Sequence, residues 1–133
     1  MIIAGEASGD LHAAHLVKSI KQVNPRIEIF GVGGKSMKEQ GVDIVYDIVD
    51  IAVVGFVEVL KNIRTFKKLM NKLVDLLDTR KPDAVILVDY PGFNLRLAKR
   101  IKEKNIPVIY YISPQIWAWE KKGSKRSKNA LIR

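Results

Sequence analysis

The sequence predicts an α/β fold, a parallel sheet flanked by helices in one domain. Three observations carry the prediction. Short apolar runs alternate with longer amphipathic ones, as in a parallel sheet wrapped by helices. Two of the runs, Ala84–Val88 (AVILV) and Val108–Ile112 (VIYYI), are continuously apolar, as expected of central parallel strands buried on both faces. The chain has 133 residues, 47% hydrophobic and 28% charged, enough for one core in an ordinary globular composition.

Taken in order, Met1–Ala4 is a strand stub. The turn Gly5-Glu6-Ala7-Ser8-Gly9 leads into a helix over Leu11–Val23. Ile27–Val32 alternates into a second strand, closed by Gly33-Gly34. Lys35–Gln40 makes a short helix and Ile44–Tyr46 a short strand. The long helix near residues 58–78 is the clearest periodic signal. At 100° per residue, Val59, Ile63, Phe66, Met70, Leu73, Val74 and Leu77 form one stripe, a core-facing pattern. Lys61, Arg64, Lys68 and Lys72 gather on the opposite side. After the strand Ala84–Val88, Leu95–Lys104 is helical, and Pro107 marks its end. No repeat, low-complexity segment or domain linker interrupts this order.

Composition excludes several classes. No stretch approaches the roughly 20 apolar residues that span a bilayer. The first residues lack the basic and long apolar regions of a signal peptide. There is no cysteine, which removes disulfide scaffolds, thiolate nucleophiles and cysteine-ligated metals and suits a reducing cytoplasm. His12 and His15 lie three apart without a carboxylate spaced to complete a metal site. They read as surface or packing residues.

The net charge of +9 is local. Residues 58–81 hold seven Lys/Arg against three acids, and residues 120–133 hold six against one. The remainder is balanced. Two basic patches suggest contacts with something anionic, although a solvated helix face and a charged tail read equally well. Leading into the long helix that carries the first patch is Ile51–Leu60 (IAVVGFVEVL), with one charge in ten residues and no clean period. It is a buried segment, or an apolar lip beside a basic helix, the way a protein sits on an anionic bilayer.

Four motifs bear on chemistry. In Ala4–His12 (AGEASGDLH), two glycines permit positive φ and close approach to a ligand. Ser8 or Asp10 is placed to cap the helix, whose free N–H groups form an anion site. The alternative is a capped turn with no ligand. The motif is neither a P-loop nor G-x-G-x-x-G, so nicotinamide-cofactor chemistry has no support. Gly31-Val32-Gly33-Gly34 reads better as a tight turn than as a phosphate cradle.

Asp89-Tyr90-Pro91-Gly92-Phe93-Asn94 directly follows the strand Ala84–Val88. A carboxylate there faces the crevice in which α/β folds bind ligands, and apolar neighbours would make it a better base. Asn94 is placed to cap the next helix. The alternative is that Asp89 merely bonds turn amides. The fourth motif, Ser113-Pro114-Gln115-Ile116-Trp117-Ala118-Trp119, follows the strand Val108–Ile112. Its two tryptophans pack on the domain itself, or on a sugar or acyl chain.

In order and spacing, AGEASGDL (4–11), Gly31–Gly34, VVGFVEVL (53–60), DYPGFN (89–94) and SPQIWAW (113–119) resemble the N-terminal half of the lipid-A-disaccharide synthases. The resemblance covers essentially the whole chain, and AGEASGD and SPQIWAW are its specific parts. The first strand is a few residues shorter than the family pattern, and Lys121–Lys128 is more basic.

The resemblance implies a Rossmann-like sheet, the N-terminal lobe of a GT-B fold, occupying residues 1–133 on the acceptor and membrane side. The UDP-binding C-terminal lobe would lie beyond it, and this lobe alone would be inactive. The implied reaction transfers 2,3-diacylglucosamine from its UDP donor to 2,3-diacylglucosamine 1-phosphate in lipid A biosynthesis, with inversion and no cofactor or obligatory metal. Asp89 would be the base. Gly5, Glu6, Ser8, Gly9 and Asp10 would form the wall nearest the phosphates, with further substrate contacts at Asn94, Ser113, Gln115 and Trp117. Val53, Val54, Phe56, Val57, Leu60, Arg64, Lys67 and Lys68 would face an anionic membrane. The implied location is cytoplasmic, peripheral to the inner membrane.

Two other readings stand beside it. One is a stand-alone module binding an anionic lipid or sugar phosphate. The other, a nucleic-acid binder, is weak, because the positive charge is split and not interleaved with aromatics.

Overall fold

The computed structural model describes residues 1–48, 63–89 and 91–111. Along the chain run β1 (Ile2–Ala4), α1 (Ala7–Val23), β2 (Phe30–Gly33), α2 (Lys35–Glu39) and β3 (Asp43–Asp47). They are followed by α3 (Ile63–Arg80), β4 (Val85–Val88), α4 (Pro91–Glu103) and β5 (Val108–Tyr111). The strands form one parallel sheet in the order β3-β2-β1-β4-β5, the doubly wound α/β arrangement.

Residue alternation explains why helices cover both faces. Successive strand side chains point to opposite sides, and here both sides are apolar. Ile3, Phe30, Val32, Val85, Leu87 and Val108 share one core with Leu69, Leu73, Leu77, Phe93, Leu97 and Ile101 of α3 and α4. Ile2, Ala4 and Val88 share the other with Ala13, Ala14, Val17 and Met37 of α1 and α2. The α3 stripe is buried at Met70, Leu73, Val74 and Leu77, as its periodicity predicts.

On the α1 face the sheet approaches its neighbours closely. A Cβ on Gly31 would lie 1.8 Å from the carbonyl oxygen of Ile2, so β1 and β2 pair closely at a residue that only glycine can occupy. The β2–β3 register shifts between Gly31 and Val32, the local irregularity of a bulge.

Three expectations are corrected. Val108–Tyr111 is not central: among the described strands it is last in the sheet, and Ile109 is 45% exposed. Helix α1 begins at Ala7, inside the segment read as a turn. Helix α4 begins at Pro91, four residues before the expected start. Proline suits that first helical position, where its missing N–H has no intrahelical partner to lose. Val53, Val54, Phe56, Val57, Val59, Leu60 and Lys61 lie outside the described residues, as do Tyr90, Ser113, Gln115, Trp117 and Trp119.

Candidate active site

The order of the strands reverses at β1 and β4. From β1 the sheet grows through β2 and β3 on one side and through β4 and β5 on the other. Helices leave such a point toward opposite faces, which opens a crevice at the carboxyl ends of the two strands. Ala4 is the register partner of Val88. Gly5 and Asp89 therefore leave neighbouring strands side by side.

The first turn of α1 closes one wall. Its N-cap is Glu6, extended at φ −137° and ψ 160°, with no side-chain cap. Neither Ser8 nor Asp10 caps this helix: both lie within it, and so the expected cap is absent. Glu6, Ala7 and Ser8 are exposed, and the uncapped helix end has the partial positive charge of its free amides. Among the described glycines, neither Gly5 nor Gly9 has positive φ. Gly9 is buried in α1, where a Cβ would sit 3.6 Å from Ala4 Cβ and 3.7 Å from Val88 Cγ1. Those are ordinary van der Waals separations, so the packing of α1 on the end of β4 requires neither an unusual backbone nor a missing side chain at Gly9.

Asp10 does something the sequence did not suggest. Its carboxylate is buried and reaches the start of α2, accepting the amides of Gly34 (2.8 Å), Ser36 (3.0 Å) and Met37 (3.0 Å). Gly34 must stay small to admit it, since a Cβ there would lie 3.0 Å from Asp10 Oδ2 and 2.9 Å from Ile48 Cδ1. The amides of the Gly31–Gly34 turn and of α2 thus bind a carboxylate of the protein's own. They are not a phosphate cradle.

At the end of β4, Asp89 adopts φ +48° and is half-buried. Its carboxylate accepts no hydrogen bond from the described residues, whereas its carbonyl accepts two. One comes from Asn94 Nδ2 and the other from the Tyr110 hydroxyl at 3.1 Å. Asn94 also reaches the Val88 carbonyl at 3.5 Å. It is fully buried in the first turn of α4 and is not that helix's cap. Its Oδ1 has no hydrogen-bond partner among the described residues. The register thus brings Gly5 beside Asp89, and Gly9 packs near Val88, with Glu6 and Ser8 exposed in the segment between them, while the polar groups of Asp10 and Asn94 turn to backbone partners.

Tyr110 was read only as part of an apolar run. A tyrosine in a buried strand must still place its hydroxyl, and that is the signal by which it was recognisable. Burial, and secondarily the Asp89 charge, hold its phenol above its ordinary range, with a hydrogen bond from Asn94 acting the other way.

A family model described as lipid-A-disaccharide synthetase matches residues 1–131. The chain belongs to this family. It is 52% identical over 123 residues to lipid-A-disaccharide synthase 1 of Legionella pneumophila (strain Philadelphia 1), an overlap of 92% of this chain and 32% of that protein. To the lipid-A-disaccharide synthase of Syntrophus aciditrophicus it is 48% identical over 132 residues, or 99% of this chain and 34% of the relative. The Myxococcus xanthus synthase is 44% identical over the same length and shares. The chain spans about a third of the length of these curated relatives.

Two further regions of this synthase-family chain bear on its surface chemistry. Arg64, Lys67 and Lys68 are exposed on α3, and none pairs with a described acid. Lys72 lies 5.4 Å from the centre of the Tyr46 ring. A cavity of about 660 Å³ opens at the opposite end of the sheet, among Met1, Ile27, Phe30, Arg80 and Asp83. It lies at the amino ends of the strands, away from the crevice, and Arg80 there already stacks 3.8 Å over Phe30 and pairs with Asp43 at 2.8 Å. Topology, not cavity size, locates the candidate site. Among the described residues no His/Asp/Glu cluster is placed to hold a metal. His12 and His15 are exposed.

Proposed function

We propose that this chain is the acceptor-side and membrane-side lobe of a lipid-A-disaccharide synthase, an inverting GT-B glycosyltransferase. The observation that supports this most is the pairing of Ala4 with Val88, which sets Asp89 beside Gly5, just ahead of α1, at the topological switch point. The substrates are UDP-2,3-diacylglucosamine and 2,3-diacylglucosamine 1-phosphate.

Asp89 acts as the base. Its carboxylate takes the proton of the acceptor's 6-hydroxyl as that oxygen attacks the donor's anomeric carbon. The bond from that carbon to the UDP oxygen breaks on the opposite face, UDP leaves with the electron pair, and configuration inverts. A hydroxyl is a poor nucleophile at neutral pH, so a base within hydrogen-bond reach contributes about 100-fold or more. The open N-terminus of α1 stabilises negative charge on the phosphates. Ser113, Gln115 and Trp117 extend the substrate wall, and a C-terminal lobe supplies the UDP site and the crevice's other side.

Val53, Val54, Phe56, Val57 and Leu60, with Arg64, Lys67 and Lys68, rest on the anionic cytoplasmic surface of the inner membrane. No described helix is long and apolar enough to cross a membrane. The free cations of α3 also support a second reading, a module that binds anionic lipid or sugar phosphate without transferring anything.

The deciding experiment measures disaccharide formation by the 133-residue chain alone and joined to a C-terminal lobe, with and without Asp89→Asn. We expect no turnover alone and activity when joined. The substitution should then lower kcat by about 100-fold or more with binding preserved. Turnover by the isolated chain rejects the lobe assignment, and full activity of the variant moves the base elsewhere.

A further inference from the structure

Asp89 occupies the left-handed region at φ +48°, which costs a residue bearing a Cβ, aspartate less than most when its side chain bonds locally, and here that carboxylate makes no hydrogen bond among the described residues. Such a conformation persists where the surroundings over-determine it. Here the surroundings come from two other elements. Asn94 projects from the first turn of α4 and Tyr110 from β5, and both donate to the same carbonyl oxygen of Asp89.

Each donor is itself fixed. Asn94 is fully buried beside Phe93, and Leu97 one turn on is equally enclosed. Tyr110 is the register partner of Leu87, two residues before Asp89. The backbone of Asp89 is therefore gripped from two sides while its carboxylate is left without a bond among the described residues. A side chain kept free on a backbone held still is the arrangement that a reacting group requires. Asparagine alone would satisfy one lone pair of the carbonyl, and Tyr110 takes the other.

We propose that Tyr110 is a positioning residue for Asp89: with Asn94 it clamps the Asp89 carbonyl, holds the left-handed backbone, and so fixes the direction in which the carboxylate leaves the end of β4. The functional meaning rests on Asp89 being the base. Burial and the neighbouring Asp89 charge raise the phenol above its ordinary range, which favours the protonated form that donates to the carbonyl.

The test reads the backbone and not turnover, so its failure is distinct from failure of the base assignment. In the 133-residue chain, a strong intraresidue amide-to-Hα NOE at Asp89 reports positive φ. Tyr110→Phe removes only the donor. We expect the NOE to weaken markedly as Asp89 samples extended backbone, while strand pairing of β4 with β5 is retained. A merely structural tyrosine would lower stability and leave that NOE unchanged, and this result overturns the proposal.

Glycine supplies the second arm, since it takes positive φ unaided. The loss of stability on Tyr110→Phe should be smaller in an Asp89→Gly background than in the native one. An equal loss in both overturns the proposal as well. Should Tyr110→Phe fail to fold, folding of the Asp89→Gly/Tyr110→Phe pair supports the clamp, and its failure to fold assigns the hydroxyl to the core at large.

Discussion

The carboxylate of Asp10 accepts the Gly34 amide at 2.8 Å, so that one helix caps the start of another 24 residues later. Two more amides of α2, from Ser36 and Met37, share the same carboxylate. A five-residue helix has little cooperativity of its own. Its position beside β2 therefore depends on Asp10.

Replacing Asp10 with alanine leaves three amides without their acceptor, two of them buried. We expect a loss of about 3 kcal/mol or more in urea unfolding, because charge-assisted bonds and desolvated orphans are both involved. Asp10→Asn should cost about half as much, since one carbonyl oxygen remains. If Asp10→Asn leaves stability untouched but abolishes substrate binding, the carboxylate belongs to the ligand site.

The Met1 ammonium predicts a pH dependence. It donates to the Ala84 carbonyl at 3.0 Å, and burial, then the Arg80 charge, lower its pKa from 8.0 to about 6, with Asp83 opposing. Between those values the unfolded chain binds the proton and the folded chain does not, so stability rises with pH from about 6 to 8. The cost is fully present below pH 6 and absent above pH 8. Allowing for partial solvent access, the change should be about 1–2 kcal/mol. Acetylation of Met1 removes the charge, and the difference between acetylated and free chains across that window isolates the effect from the histidines. Identical pH profiles would show that the ammonium is well hydrated.

Membrane attachment predicts a charge and salt signature. Reversing Arg64, Lys67 and Lys68 to glutamate should abolish binding to vesicles containing anionic lipid while leaving the urea midpoint near its native value, as all three are exposed. Native binding should weaken as salt rises, by screening. Val54→Ser with Phe56→Ser should weaken binding without unfolding the protein. Vesicle binding that ignores both the charge reversal and salt would remove α3 from the interface.

The fold was largely legible because periodicity is a one-dimensional record of which face is buried. Met70, Leu73, Val74 and Leu77 announced α3, and VILV announced β4. What the sequence hid were relationships between elements. Gly5 and Gly9 looked like a ligand-cradling turn, but the tight β1–α1 connection draws Gly9 into the helix, and neither glycine has positive φ. Asn94 looked like a cap, yet Pro91 opens α4 and the asparagine turns back to β4. Asp10 and Tyr110 were opaque for one reason: their partners are set by the docking of distant elements, which local propensity does not encode.

Strand order also has a consequence for how the chain is made. Ile2 pairs with Gly31 on one side and Ile86 on the other. During synthesis at about 5–20 residues per second, the second partner leaves the ribosome roughly 4–17 s after the first strand. Throughout that interval β1, β2 and β3 can assemble, but the flank of β1 destined for Val85–Val88 stays an open, apolar edge. Such edges recruit foreign strands, so a nascent-chain chaperone has a defined target and a defined time. Asp89 arrives just behind the strand that closes this edge, which makes the proposed base among the last groups of the crevice to take its place.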